Sequence, residues 1–223
     1  MEMKKESTGK ETLSEKTLLL KKEDIIRTAS ALFLKQGIDS VRMTDIADAA
    51  GLGVASLYRY FGTRTKVVIE AGTRLWQDIQ KQFDRAFILA SYKEKKGIDQ
   101  VALEVDFLLD FYRKNPDFVH FLDAFDRLML QEKVPAEELS DYEKSIVSIE
   151  DLFLTACKKG IDDGSIRPDL DYRTLYFTVT HSINALAEKI ARGPILSADS
   201  PSSSDEELRM LRKLILHYLE SAG

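Results

Sequence analysis

Apolar residues begin to recur with a helical period at Ile25, and they keep that period almost to the end of the chain. Ile25, Ile26, Ala29, Leu32 and Phe33 fall on one stripe of a 3.6-residue repeat, closed by Gly37 where a left-handed cap belongs. A second, short segment carries Ile46, Ala47 and Ala50 and ends at Gly51. A third, over 54–61, starts directly after the turn Gly51-Leu52-Gly53. Three short helices with a tight glycine turn between the last two describe a helix-turn-helix. Further helices are predicted over 64–91, with Thr63 as N-cap, and over 98–114, 117–131, 140–162, 171–192 and 205–221. Asn115-Pro116 breaks one pair, Gly164-Ser165 and Pro168 mark a turn, and 193–204 reads as a polar loop. No strand-like alternation occurs, so the fold class is all-α: a three-helix N-terminal domain followed by a larger helical domain.

The boundaries that follow are a charged, mobile tail over 1–22, a helix-turn-helix domain over 23–68 and a second domain over 69–223. Charge sharpens this division. Residues 1–20 carry four basic and four acidic side chains, residues 21–66 eight against five, and residues 67–223 twenty against twenty-eight. The overall net charge of −5 thus conceals a small basic module on an acidic body, as suits a protein that holds phosphates at one end. No apolar run is long enough to span a bilayer and the N-terminus lacks the features of a signal peptide, so a cytoplasmic location without membrane contact is expected. A single cysteine, Cys157, excludes an internal disulfide or a cysteine-based zinc site.

The stretch from Glu23 to Val68 resembles the DNA-binding domain of the tetracycline-repressor (TetR) family. The residues that carry the resemblance are Leu32-Phe33, Gly37, Ile46-Ala47, Ala50-Gly51 and Leu57-Tyr58-Arg59-Tyr60-Phe61, at matching spacing. The resemblance implies that Val54, Ala55, Ser56 and Tyr58 touch operator DNA and that Arg59 makes a base or phosphate contact. It also implies that Tyr60 bonds a phosphate, that Arg64 clamps the DNA backbone and that Thr44 approaches from the second helix. Physical reasoning supports it separately: with Leu57 and Phe61 pointing inward, Ser56, Arg59 and Tyr60 point partly outward. Two departures stand out. Arg42 occupies the position where the family has Ser or Thr, so a phosphate contact there would be by charge. Gly53 replaces the usual serine cap at a cost of only a few tenths of a kcal/mol.

One such module makes too few contacts for specific binding, so a two-fold dimer reading a pseudo-palindrome is expected. Two stripes suit helix pairing in the dimer: Leu175, Val179, Ile183, Leu186 and Ile190, and Leu208, Leu211, Ile215, Tyr218 and Leu219. The resemblance also implies a ligand pocket among the middle helices. Its candidate lining is Phe83, Phe107, Phe111, Phe121, Phe125, Phe153 and Phe177, with Phe87, Phe118 and Trp76 nearby, which points to an apolar or aromatic effector. His181 and Asn184 either orient that ligand or sit at the dimer interface. The long fourth helix would couple ligand to DNA by changing the spacing of the recognition helices.

Nothing points to catalysis or to a cofactor. His120, His181 and His217 are scattered over separate helices, and no metalloprotease, phosphate-loop or dinucleotide motif is present. A transcriptional repressor released from its operator by a small molecule is therefore expected. The alternatives are an activator or ligand-independent factor on the same fold, and a helical hydrolase or ligand carrier with an accessory DNA-binding module.

Overall fold

A run of Leu, Lys and Glu without glycine or proline carries the first helix well ahead of its apolar stripe. The computed structural model describes residues 13–88, 90–194 and 204–220, and in it α1 spans Leu13–Gln36. The tail expected over 1–22 to run into the first helix is helical over more of its length than that reading gave: residues 13–22 belong to α1, and 1–12 lie outside the described residues. Good helix formers propagate a helix that packing has already nucleated, even where Leu18, Leu19 and Leu20 stay exposed.

Next come α2 (Met43–Ala49), α3 (Val54–Phe61) and α4 (Arg64–Phe87). Gly37 and Gly51 take positive φ, which lets the chain reverse after α1 and between α2 and α3. Thr63 caps α4 as the sequence indicates, its hydroxyl accepting from the Lys66 N–H at 3.1 Å. The helix expected over 64–91 stops at Phe87 and a one-turn helix α5 (Ala90–Lys93) follows. The break lets Tyr92 fold back against Phe87, with ring centroids 5.0 Å apart, and reach the buried Glu104.

The larger domain continues with α6 (Gly97–Lys114), α7 (Pro116–Glu132), α8 (Ser140–Asp162, entered through a 3₁₀ turn at Ala136–Leu139), α9 (Tyr172–Arg192) and α10 (Ser204–Leu219). Pro116 occupies the first turn of α7, where its missing N–H costs nothing, and Asp171 caps α9 through the N–H groups of Arg173 and Thr174. The expected boundaries thus hold to within two residues here. Residues 195–203, most of the expected polar loop, lie outside the described residues.

Two glycines set how the larger domain closes. A Cβ on Gly97 would sit 2.0 Å from the Gly160 backbone nitrogen, and one on Gly160 would strike the Ile166 side chain at 2.4 Å. Thus α6 and α8 cross backbone to backbone. Beside the crossing, Ile166 forms an antiparallel bridge to Glu220, and the Arg167 N–H bonds the Leu219 carbonyl at 3.1 Å, pinning the end of α10.

No seam separates the two expected domains. Helix α4 crosses the 68/69 boundary without interruption, and α1 packs on both α4 and α7. Phe33 of α1 meets Phe121 of α7 at 6.5 Å, so one contiguous apolar core runs from the helix-turn-helix into the larger domain.

Candidate nucleic-acid interface and effector cavity

Leu57 and Phe61, one turn apart on α3, are buried and share a core with Ile46 and Ala47 of α2 and Phe33 of α1. Ile25, Ala29, Ile38, Val41 and Met43 complete this small core. Anchoring one side of α3 fixes what the other presents. Val54, Ala55, Tyr58 and Arg59 are exposed, while Ser56 and Tyr60 are half-buried. Arg59 lies over the Tyr60 ring, its guanidinium carbon 5.5 Å from the centroid, and approaches the Ser56 hydroxyl at 3.4 Å. This leaves a short helix with an open N-terminus, small residues in its first turn and an aromatic–arginine pair in its second, a shape suited to entering a DNA major groove.

Thr44 and Arg42 are exposed beside it at the start of α2. The cap that the sequence loses in side-chain hydroxyl is met from the other direction: Asp45 accepts the Arg42 N–H at 2.7 Å. The Arg42 side chain is thereby not needed to hold the helix. Arg64 is placed differently from expectation. Its Nε donates to the Val41 carbonyl at 3.1 Å and one terminal N–H to the Ile38 carbonyl. The side chain is part-buried and stitches the start of α4 to the loop before α2, so its first duty is to the protein's own backbone. A cationic head over Phe61, from Lys22 of α1 at 5.6 Å, adds positive charge nearby.

The larger domain contains a cavity of about 440 Å³ between α4, α6, α7, α8 and α9. Trp76, Leu108, Tyr112, Leu122 and Tyr176 form its buried interior, with Tyr142 half-buried beside them. Asp126, Glu143, Arg173, Phe177 and His181 stand exposed at its edge. The Trp76 Nε1–H donates to the Tyr142 hydroxyl at 3.0 Å, and Tyr142 stacks on Phe125 at 4.3 Å. Gly72 makes room for that stack: a Cβ there would meet Tyr142 at 3.0 Å. Burial pushes the Tyr176 phenol up to about 12 and raises those of Tyr112 and Tyr142 further. All three are neutral hydrogen-bonding groups. Asn184 also lines the cavity, and its Oδ1 is buried without a hydrogen-bond partner. An acceptor in that state is costly unless something donates to it.

His181, Asn184 and Phe177 lie together at this cavity. Phe83, Phe107, Phe111, Phe121, Phe125 and Phe153 are not among its lining. Phe83 and Phe107 instead contact each other and Phe87, and Phe111 and Phe121 contact Phe118, with Phe83 and Phe121 in the core and Phe107 and Phe111 packed against it. Four of the rings that line the cavity, Trp76, Tyr112, Tyr142 and Tyr176, carry a polar end that a guest or water can reach, and Phe177 stands at its exposed edge. Sequence reasoning missed Tyr112, Tyr142 and Tyr176, which lie on three separate helices; their tyrosine identity was the available signal.

The two pairing stripes also divide. Val179, Ile183, Leu208, Ile215 and Leu219 are buried in the chain's own core. Met210, Leu214 and Tyr218, one turn apart along α10, stay exposed in their place. A groove beside them, lined by Leu175, Val179, Leu211 and Ile215, runs between α9 and α10.

Elsewhere, burial and the nearby Glu104 push the Cys157 thiol up to about 12, which leaves it inert as a nucleophile near neutral pH. Among the described residues, no helix is long and apolar enough to cross a membrane.

An exposed helix-turn-helix on an all-helical body is the architecture of a DNA-binding transcriptional regulator. Residues 25–71 match the model of the bacterial regulatory proteins of the tetR family. The chain is similar to the HTH-type transcriptional repressor KstR2 of Rhodococcus jostii, 25% identical over 68% of this chain and 70% of that one. Solved structures share the fold. One is the choline complex of a protein from Saccharomonospora viridis, with a TM-score of 0.66 and 19% identity over 90% of this chain and 98% of that one. Another is the stearoyl-CoA complex of the Bacillus subtilis regulator FadR, with a TM-score of 0.60 and 15% identity over 89% and 99%.

Proposed function

We propose that this protein is a repressor that binds a pseudo-palindromic operator as a homodimer and is released by a small molecule held in the α4–α9 cavity. The observation that carries the reading is α4 itself. Its first residue, Arg64, grips the loop of the helix-turn-helix, and Trp76, twelve residues on, stands in the cavity wall. At 1.5 Å per residue the two points are roughly 18 Å apart on one rigid rod. A guest that moves Trp76 therefore moves the DNA-reading unit. Two such units on a dimer must match half-sites about one DNA turn apart, and a change of spacing weakens both contacts together.

The base-reading residues of this proposal are Val54, Ala55, Ser56, Tyr58 and Arg59, with Arg42, Thr44 and Tyr60 on the phosphates. The partner surface is the exposed row Met210, Leu214 and Tyr218 with the α9–α10 groove. Repression accords with the KstR2 relative, and binding of a small molecule accords with the choline and stearoyl-CoA complexes on the same fold. Those two guests differ so widely that the fold itself does not choose the ligand.

Selection of bound sites from random duplex DNA tests this directly. A two-fold site bound by a dimer, with affinity falling steeply as salt rises, is the expected result. Absence of any enriched site would overturn it.

A further inference from the structure

The lining of the cavity has a charge sign as well as a shape. Three carboxylates, Asp126, Glu143 and Glu150, face one guanidinium, Arg173, and no other Lys or Arg is among the described lining residues. Arg173 is already engaged, its Nε donating to Glu150 at 3.1 Å. The Asp126 carboxyl is held above its usual range, first by desolvation and then by the nearby charges of Asp123 and Glu188. These observations describe surplus negative potential beside a largely apolar hollow.

The rest of the lining fits the same sign. Trp76, Tyr112, Tyr142, Tyr176 and Phe177 supply aromatic rings, whose faces attract cations. The partnerless Asn184 Oδ1 asks for a donor, which an ammonium or amidinium N–H supplies and a carboxylate or phosphate does not. An anionic guest would meet the carboxylates without a free arginine to receive it.

We infer that the effector is an organic cation: an apolar or aromatic body carrying a protonated nitrogen, seated among the cavity aromatics with its N–H toward Asn184. This rests on the cavity being the effector site and deepens that reading. Selectivity comes from the carboxylates at the edge; the aromatic interior accepts the body of any similar molecule.

A matched set of probes separates sign from shape: 4-phenylbutylammonium, 4-phenylbutanol and 4-phenylbutyrate. Trp76 is the chain's one tryptophan and stands in the cavity wall, so its fluorescence reports occupancy without DNA, with calorimetry as a second readout. The ammonium should bind about tenfold tighter than the alcohol, the butyrate more weakly still, and the ammonium's advantage should shrink with added salt. In Asp126→Asn/Glu143→Gln the ammonium's advantage should largely vanish while the alcohol binds as before. Both residues stand at the cavity edge outside the apolar core, so the variant keeps the fold. Equal binding of all three probes, tighter binding of the butyrate, or no binding of the ammonium overturns the inference. Operator release is scored separately. An ammonium that binds with the expected preference yet leaves the operator complex intact upholds the charge preference and defeats the effector reading.

Discussion

The indole N–H of Trp76 donates to the hydroxyl of Tyr142 at 3.0 Å, tying α4 to α8 across the wall of the cavity. This bond joins the helix that reaches the DNA-reading unit to the helix that closes the ligand site. Tyr142→Phe keeps the stack on Phe125 and removes only the acceptor. The expected outcome is a loss of about 1 kcal/mol in stability, with a blue-shifted Trp76 emission. Emission identical to the parent protein would show that the bond does not persist in solution.

Arg59 and Arg64 should separate cleanly in DNA binding. Arg59 is exposed on the reading face, and Arg59→Ala should cost about 1–3 kcal/mol in operator affinity and relax preference at one base pair. Arg64 bonds two carbonyls of its own chain, so Arg64→Ala should lower the melting temperature while the base preference stays as it was. Operator titrations against single-base variants, paired with thermal denaturation, decide between them. An Arg64→Ala protein of parental stability would return that residue to a DNA-clamping role.

The exposed row on α10 predicts the oligomer. Leu214→Arg places a charge in the middle of Met210, Leu214 and Tyr218 without touching the buried Ile215 or Leu219. Sedimentation should then show a folded monomer, and operator binding should fall to the affinity of one module. A dimer that survives this change lies on another face.

Burial pushes the Glu104 carboxyl up to about 7, and the Tyr92 hydroxyl bond offsets this only in part. Below the unfolded value of 4.5 both states hold the proton, and the stability it gives is complete. As pH rises from there toward 7, the unfolded chain ionises first and stability falls. The total loss is about 3 kcal/mol once the folded carboxyl has also ionised. Glu104→Gln should flatten that slope in denaturation experiments across the same window. An unchanged slope would place the titration elsewhere.

The helix-turn-helix was legible because its small core is written in short-range spacing: Leu57 and Phe61 four apart, Ile46-Ala47, and glycines at the turns. Longer-range facts were not. Leu175 and Leu186 lie on the same predicted stripe as Val179 and Ile183, yet the first pair is half-buried and the second buried, because a neighbouring helix covers only part of the stripe. The cavity wall stayed hidden for a related reason. Helical spacing shows that an aromatic faces inward, but not whether the space in front of it is filled. Arg64 likewise reads as a free cation until the carbonyls of Ile38 and Val41, more than twenty residues earlier, are brought beside it.

The bare crossing of Gly97 and Gly160 gives the larger domain something close to a fulcrum. The Gly97 N–H donates to the Asp163 carboxylate at 2.8 Å and the Ile98 N–H to the Ser165 hydroxyl at 3.2 Å, so this end of α8 is anchored, while its length rests on α4. Tyr142 lies eighteen residues away, a lever of roughly 27 Å at 1.5 Å per residue, so a tilt of only about 4° carries its ring by about 2 Å. Gly160 fixes where the helix is held, and a guest beside Tyr142 works at the long end of the arm, where the least force turns it.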